Sequence, residues 1–410
     1  MRYNRAMRIA VFTDIYAPWA TGGIVSSIQA QKRELEKLGH TVVVFCPGFD
    51  SDDPTVVTVP TFKWLKINET AVARTPQEIE TAILDQRPEF GREFDLVHAH
   101  YEAACSIAGI RLARRFGLPV VQTMHGREDM AIAVNVAPAL RFGVAEALDL
   151  LHAQCLEHGV EVERDQFQAP TLTRARMWRL MVNHAESADI VVTPTRHFAE
   201  KLRHYGVTRP LRVVSNGVDE DLVTQEFQVR RLEEGAPLLM LWNSRVSHEK
   251  RIMPFLKAVA QLQRPYHLTV YGDGNDLKKA QRYARQQELA VEFRGRRPRT
   301  EIIRQMGSAQ LAIMASYNFD TQGMTLLEAK ATGLPVFFCD PNMREVVPEG
   351  SYVLAAGPEP EAMAAALEAL PAGQIEKMSR VMMAHREEAL QSAQIQKLLA
   401  VYQEALEGRG

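Results

Sequence analysis

The chain has 410 residues, of which 46% are apolar and 24% charged, with a formal net charge of −2. That length suits two domains with hydrophobic cores of their own, and that charge supplies no overall field to draw the protein onto nucleic acid or an anionic bilayer. Cys46, Cys105, Cys155 and Cys339 are scattered without a CxxC pair, which argues against a disulfide framework and a structural zinc site. The opening Met1-Arg2-Tyr3-Asn4-Arg5 runs into a strand-like segment, not a signal-peptide apolar region. No stretch approaches the ~18 uninterrupted apolar residues of a membrane span, so the expectation is a cytoplasmic protein.

In chain order, Arg8 to Thr13 is a short apolar run suited to a buried parallel strand. Thr21-Gly22-Gly23 follows as a loop, and Ile24, Ile28, Leu35 and Leu38 then fall at near-helical spacing up to Gly39. Thr41 to Phe45 is the next strand, rich in β-branched residues. Phe94 to Ala99 and Leu118 to Thr123 read as buried strands on either side of a helix over Ser106 to Phe116. A long, mostly helical insertion over residues 127–185 interrupts this rhythm, which resumes at Ala188 to Thr193. Alternation of this kind builds a doubly wound parallel sheet.

The Glu-rich segment Asp219 to Gly235 reads as a linker. A second alternation starts with a strand over Leu238 to Asn243 and a helix over Ile252 to Gln263. Further strands are predicted at His267–Tyr271, Glu292–Arg294, Gln310–Met314 and Pro335–Phe338, and one helical stretch over roughly Gln374 to Leu406. The fold class is therefore α/β, with two Rossmann-like domains facing a cleft. The expected boundaries are 1–215 for the first domain, 216–385 for the second, and 386–410 for a C-terminal helix crossing back to the first. Ligands of such sheets sit at the carboxyl ends of strands, near a switch point in strand order.

Neither GxxxxGK[ST] nor GxGxxG after the first strand is present, which counts against P-loop and NAD chemistry. Gly22 and Gly23 either let backbone N–H groups approach an anion at a helix start or make a plain tight turn. Asn243 to Lys250 follows a strand and opens a helix, so Arg245 and Lys250 can neutralise a diphosphate, or can equally be a solvated charged loop. Downstream, a helix starting near Gly323 would aim its first N–H groups at an anion. Asp320 before it suits sugar hydroxyls or helix capping, and Glu328 suits ribose hydroxyls or a solvated surface. His98, His100 and Glu102 lack a third metal ligand at suitable spacing.

Taken in order, these segments resemble the retaining GT-B glycosyltransferases of the large glycosyltransferases group 1 family. Tyr16-Ala17-Pro18 with Gly22-Gly23 looks like its N-terminal loop, and Val213 to Asp219 like its NGVD segment. Ser244-Arg245 through Glu249-Lys250 looks like its donor-phosphate motif, and Asp320 through Glu328 like its E-x7-E motif. The resemblance implies transfer of a hexose, glucose first, from a nucleotide-diphosphate sugar to a hydroxyl acceptor, with a UDP-sugar favoured and no metal or other cofactor required.

By that resemblance Arg245 and Lys250 bind the diphosphate, backbone groups of Gly323, Met324 and Thr325 complete its cradle, and Glu328 holds the ribose. Asp320 holds the transferred sugar and His125 lies near it. Asp320 in place of Glu shortens the reach of the first motif acid, and Ser244 replaces a glycine. Thr321-Gln322-Gly323 is similar to relatives that glucosylate membrane acceptors, and Thr173 to Met181 mixes cations with apolar bulk as interfacial helices do. A lipid-linked acceptor, with peripheral contact at the inner face of the membrane, is thus one expectation; an ordinary core helix there is the other. A noncatalytic subunit and a sugar-nucleotide epimerase are the competing classes.

Overall fold

The computed structural model of the chain describes residues 5–16, 23–48, 51–67, 70–156, 159–166 and 168–408. The chain divides into two compact units, Met1–Ser215 with Gln394–Gly410, and Asn216–Ala393.

The first unit holds strands β1 (Arg8–Thr13), β2 (Thr41–Pro47), β3 (Val56–Val59), β4 (Thr61–Ile67), β5 (Thr70–Ala73), β6 (Leu96–His100), β7 (Val120–Thr123), β8 (Ile190–Thr193) and β9 (Leu211–Val213). Its helices are α1 (Gly23–Lys37), α2 (Pro76–Gln86), α3 (Phe90–Glu93), α4 (Ala104–Phe116), α5 (Glu128–Asn135), α6 (Arg141–Leu156), α7 (Leu172–Glu186) and α8 (Arg196–His204). Seven strands pair in the order β3-β2-β1-β6-β7-β8-β9, all parallel, and β4 and β5 form a separate antiparallel pair. The order reverses between β1 and β6, which makes the carboxyl ends of these two strands the switch point.

Local chemistry explains the element ends. Thr75 and Glu78 form a reciprocal capping box at the start of α2, with Pro76 in its first turn. Gly117, at φ 70°, closes α4 in the left-handed conformation that glycine adopts without a Cβ penalty. Strands β1, β6, β7 and β8 are buried on both faces, so their sequences are apolar runs and not alternations.

The second unit holds β10 (Leu238–Asn243), β11 (Tyr266–Tyr271), β12 (Val291–Gly295), β13 (Leu311–Met314), β14 (Val336–Phe338) and β15 (Tyr352–Leu354). Its helices are α9 (Ile252–Val259), α10 (Leu277–Gln286), α11 (Arg299–Met306), α12 (Met324–Thr332), α13 (Pro360–Glu368) and α14 (Ala372–Ala384); α15 (Gln391–Glu407) follows. The sheet order is β12-β11-β10-β13-β14-β15, again parallel, with its switch point between β10 and β13.

Two expectations need correction. The segment from Asp219 to Gly235 is not a solvated linker, because Val223, Phe227 and Leu232 are buried in the second unit. Arg230 there donates to the carbonyls of Met306 and Thr332. The helical stretch after Gln374 is broken by a short turn at Arg386–Ala389, and residues up to Ala393 group with the second unit. From Ile395 on, Leu398, Leu399, Tyr402 and Ala405 repeat at helical spacing and pack with Ile9, Leu96, Val121 and Ile190 of the first unit.

Of the two readings of α7 the core helix holds, with its arginines paired and not solvated. Met177, Trp178, Leu180 and Met181 are buried there, and its arginines are ion-paired: Arg174 with Asp129, Arg176 with Glu146, Arg179 with Asp149. It is a core helix. The exposed apolar surface of the insertion lies instead around α6, on Leu140, Phe142, Leu148, Leu150, Leu151 and on Leu172.

Candidate functional site

In the second unit, the loops after β10 and β13 together with helix α12 carry all the sequence-predicted site residues of that unit, and these strands flank its switch point. The loop after β10 is held by close backbone packing. The N–H groups of Ser244 and Val246 donate to the carbonyls of Tyr271 and Asp273. A Cβ on Gly272, at φ 139°, would come within 2.1 Å of the Ser244 carbonyl oxygen. Gly274, at φ 153°, meets the Val246 carbonyl in the same way. This glycine pair at the end of β11 fixes the Arg245 loop. The sequence reading passed it over, although Gly-Asp-Gly after a strand is a usable signal.

Lys250 is brought onto Asp320, with Nζ 2.5 Å from Oδ1, and it also lies 5.1 Å from the Phe319 ring centroid. The Ser316 hydroxyl donates to the other Asp320 oxygen. Burial by itself would raise the Asp320 carboxyl. The Lys250 charge and hydrogen bond, the Ser316 hydroxyl and the Arg245 charge outweigh it and hold the group below the usual range. Arg245 is half exposed and lies 2.9 Å from Glu249. Both candidate phosphate cations therefore have internal carboxylate partners, Asp320 for Lys250 and the buried Glu249 for Arg245.

Helix α12 begins at Gly323, whose φ of 76° and closeness to Met314 leave no room for a Cβ, which would lie 2.7 Å from the Met314 sulfur. Met324 and Thr325 form the first helical turn, where backbone N–H groups lack intrahelical partners. The Thr325 hydroxyl donates to the Asn243 carbonyl over 2.7 Å, tying that turn to the end of β10. Glu328, one turn further on, is buried and not a surface carboxylate. It accepts from Asn243 Nδ2 at 2.7 Å and from the Arg299 guanidinium. Gln322 accepts from the Asn216 amide and side chain, at 3.1 and 2.8 Å, which joins the motif loop to the NGVD segment. Asn243, Arg299 and Gln322 were not singled out from sequence as site residues. Arg299 carries no local signal, since only the fold brings the start of α11 to Glu328.

In the first unit, Gly22 lies outside the described residues, as do Ala17, Pro18 and Thr21. Gly23 is the first residue of α1, after the switch-point strand β1. His125 follows β7 and is buried, with Nε2 2.9 Å from His100 Nδ1. Desolvation lowers its pKa to about 4, so it is neutral at pH 7. Asp14, at the end of β1, accepts from the amides of Cys105 and Ser106 at the start of α4. Burial still raises it to about 6. Glu102 is buried, has no hydrogen-bond partner among the described residues, and is raised well above its usual value by burial, then by Glu128 and Asp14.

With this geometry in place, comparison with known proteins is direct. The model of "Glycosyltransferase Family 4" matches residues 21–222, and that of "Glycosyl transferases group 1" matches residues 224–387. An alpha-monoglucosyldiacylglycerol synthase of Streptococcus pneumoniae is 26% identical over 350 residues, 80% of this chain and 70% of that protein. Sucrose-phosphate synthase from Thermosynechococcus elongatus superposes with a TM-score of 0.73 at 17% identity, covering 98% of this chain and 100% of that one. HepE of Anabaena, solved in complex with UDP-glucose, gives 0.67 at 16% identity, covering 97% and 100%. At these identities the two solved structures speak for the fold alone. Two parallel Rossmann-like sheets, with family models matching residues 21–222 and 224–387, make this chain a GT-B glycosyltransferase of the glycosyl transferases group 1 family.

Proposed function

We propose that this glycosyltransferase moves glucose from UDP-glucose to a hydroxyl of a lipid-linked acceptor, with retention of anomeric configuration. The observation that carries the donor half is the convergence at one switch point of Arg245, Lys250, Asp320, Glu328 and the first turn of α12. Arg245 and Lys250 take the diphosphate and stabilise the charge that collects on the departing nucleotide. Backbone groups of Gly323, Met324 and Thr325 add the partial positive charge of a helix N-terminus. Glu328, held from two sides by Asn243 and Arg299, accepts from the ribose hydroxyls. Asp320 accepts from a hydroxyl of the sugar. His125 is assigned to the transferred sugar, and Gly22 and Gly23 to donor binding. Protein cations meet the phosphate charge, so the reaction calls for no divalent metal.

A panel of nucleotide sugars, assayed for release of nucleotide diphosphate and for transfer, tests this reading. UDP-glucose is the expected donor. Glu328→Ala is expected to lower its kcat/KM about 100-fold, as loss of hydrogen bonds to a charged group does. Full activity in that variant, or no turnover with any donor, would overturn the assignment.

The lipid half is supported by the exposed apolar residues around α6 and by the likeness to the pneumococcal alpha-monoglucosyldiacylglycerol synthase. Among the described residues no helix is long and apolar enough to cross a membrane, so contact through α6 would be peripheral. Each leucine taken out of water contributes about 1.5–3 kcal/mol. Leu150→Ser with Leu151→Ser is therefore expected to reduce sedimentation with diacylglycerol-containing anionic vesicles at least ~10-fold, leaving donor turnover intact. Protein that stays wholly in the supernatant at low salt would reject a membrane acceptor in favour of a soluble one.

A further inference from the structure

In the first unit a row of hydrogen-bonded side chains leads from the C-terminal helix to His125. Tyr402 Oη of α15 lies 2.7 Å from His98 Nδ1. His98 Nε2 is 2.7 Å from the Thr123 hydroxyl, and His98 Nδ1 is also 3.1 Å from His100 Nε2. His100 Nδ1 completes the row at 2.9 Å from His125 Nε2. All five residues are buried. Burial brings His98 to about 3 and His125 to about 4, and takes His100 well below its ordinary value. Each ring therefore carries one N–H and one lone pair at pH 7.

The direction of the row follows from its end. Tyr402 is fully buried, and among the described residues its hydroxyl has His98 Nδ1 as its hydrogen-bond partner and no other. A buried hydroxyl proton left unpaired is costly, so Tyr402 donates to Nδ1. His98 Nδ1 is then the lone-pair nitrogen, and Nε2–H donates to Thr123. His100 Nε2, facing that lone pair, must carry its proton and shares the acceptor with Tyr402. His100 Nδ1 is thereby a lone pair, and His125 Nε2 must carry the proton that meets it.

We infer that Tyr402, through His98 and His100, positions His125 as the Nε2–H tautomer and so makes Nδ1 its accepting nitrogen. The role rests on the reading that His125 serves the transferred sugar. An accepting nitrogen takes a hydrogen bond from a sugar hydroxyl and repels a phosphate oxygen, which has no proton to give. The row thus assigns His125 to the polyol part of the donor and not to its diphosphate. Tyr402, His98 and His100 are positioning residues, acting through His125.

Long-range proton–nitrogen spectra of protein labelled with 15N-histidine test the assignment directly. In the wild type His125 should be protonated at Nε2 alone. In Tyr402→Phe, which keeps the ring and removes the hydroxyl, His98 and His125 should become mixtures of both tautomers. In that variant kcat should fall about 10-fold with donor KM unchanged within about twofold. His125 protonated at Nδ1 in the wild type would overturn the inference, as would unaltered tautomers or unaltered kcat in Tyr402→Phe. Full transfer activity in His125→Ala would instead reject the reading that His125 serves the sugar, while leaving the tautomer result to stand on its spectra.

Discussion

Lys250→Ala is expected to lower kcat/KM for sugar transfer about 1000-fold, the scale on which removing one preorganised group that stabilises transition-state charge acts. Two effects combine. The departing nucleotide loses a cation, and Asp320 loses the partner that keeps its buried carboxylate ionised. The side chains are 17% and 14% exposed, so the pair is desolvated enough for removal of one partner to cost about 3 kcal/mol of stability in the second unit. Asp320→Asn beside Lys250→Ala separates these terms. If the stranded carboxylate is the source of the instability, the double variant melts higher than Lys250→Ala, while transfer stays low in both. Wild-type kcat/KM in Lys250→Ala would remove Lys250 from the mechanism.

The second large effect is acid lability of the first unit. Desolvation holds six of its buried histidines below their ordinary value: His40, His98, His100, His125, His152 and His184. Below pH ~6.5 the unfolded chain binds protons that the folded chain refuses, so stability is lost as pH falls. Three carboxyls oppose this. Asp14 is raised to about 6, Glu102 well above its usual value, and half-buried Glu128 to about 7. They bind protons earlier in the folded state, so their contribution is gained on acidification from near neutrality and lost as pH rises through the same window.

Each group contributes at most ~1.4 kcal/mol per pH unit. The excess of histidines therefore leaves a net loss of up to roughly 4 kcal/mol per pH unit between pH 6.5 and 4.5. Urea unfolding across this range, with hydrogen exchange resolved by peptide, should show the first unit opening earlier as pH falls. A midpoint that is constant or rises on acidification would show that the carboxyls win.

The central strands of the two sheets were legible in the sequence because parallel strands buried on both faces read as apolar runs, as at Ile9 to Phe12 and Leu238 to Trp242, whereas the short edge strands β3, β9 and β15 were not. The start of α12 was legible from Gly323, a residue whose conformation nothing else tolerates. What could not be read were the partners that arrive from far along the chain. Asn243 meets Glu328, Asn216 meets Gln322, and Tyr402 meets His98 across 304 positions. At α7 cations interleaved with Met177, Leu180 and Met181 left a membrane face and a core helix both open, and the core helix is found. The arginines there serve buried carboxylates such as Asp129 and Asp149, a use of charge that local sequence does not distinguish from solvation. The break at Arg386–Ala389 was likewise hidden, since no Gly or Pro marks it.

Because residues 394–410 belong to the first unit while 216–393 form the second, a ribosome must make the whole second unit before the first can be finished. At about 5–20 residues per second, roughly 10–40 s pass between emergence of Ser215 and arrival of Tyr402. During that time Ile9, Leu96, Val121 and Ile190, which pack with α15 in the finished chain, lack their cover. The nascent first unit is therefore a natural client for chaperones, and α15, completed only after the whole second unit, is the helix that ends its exposure.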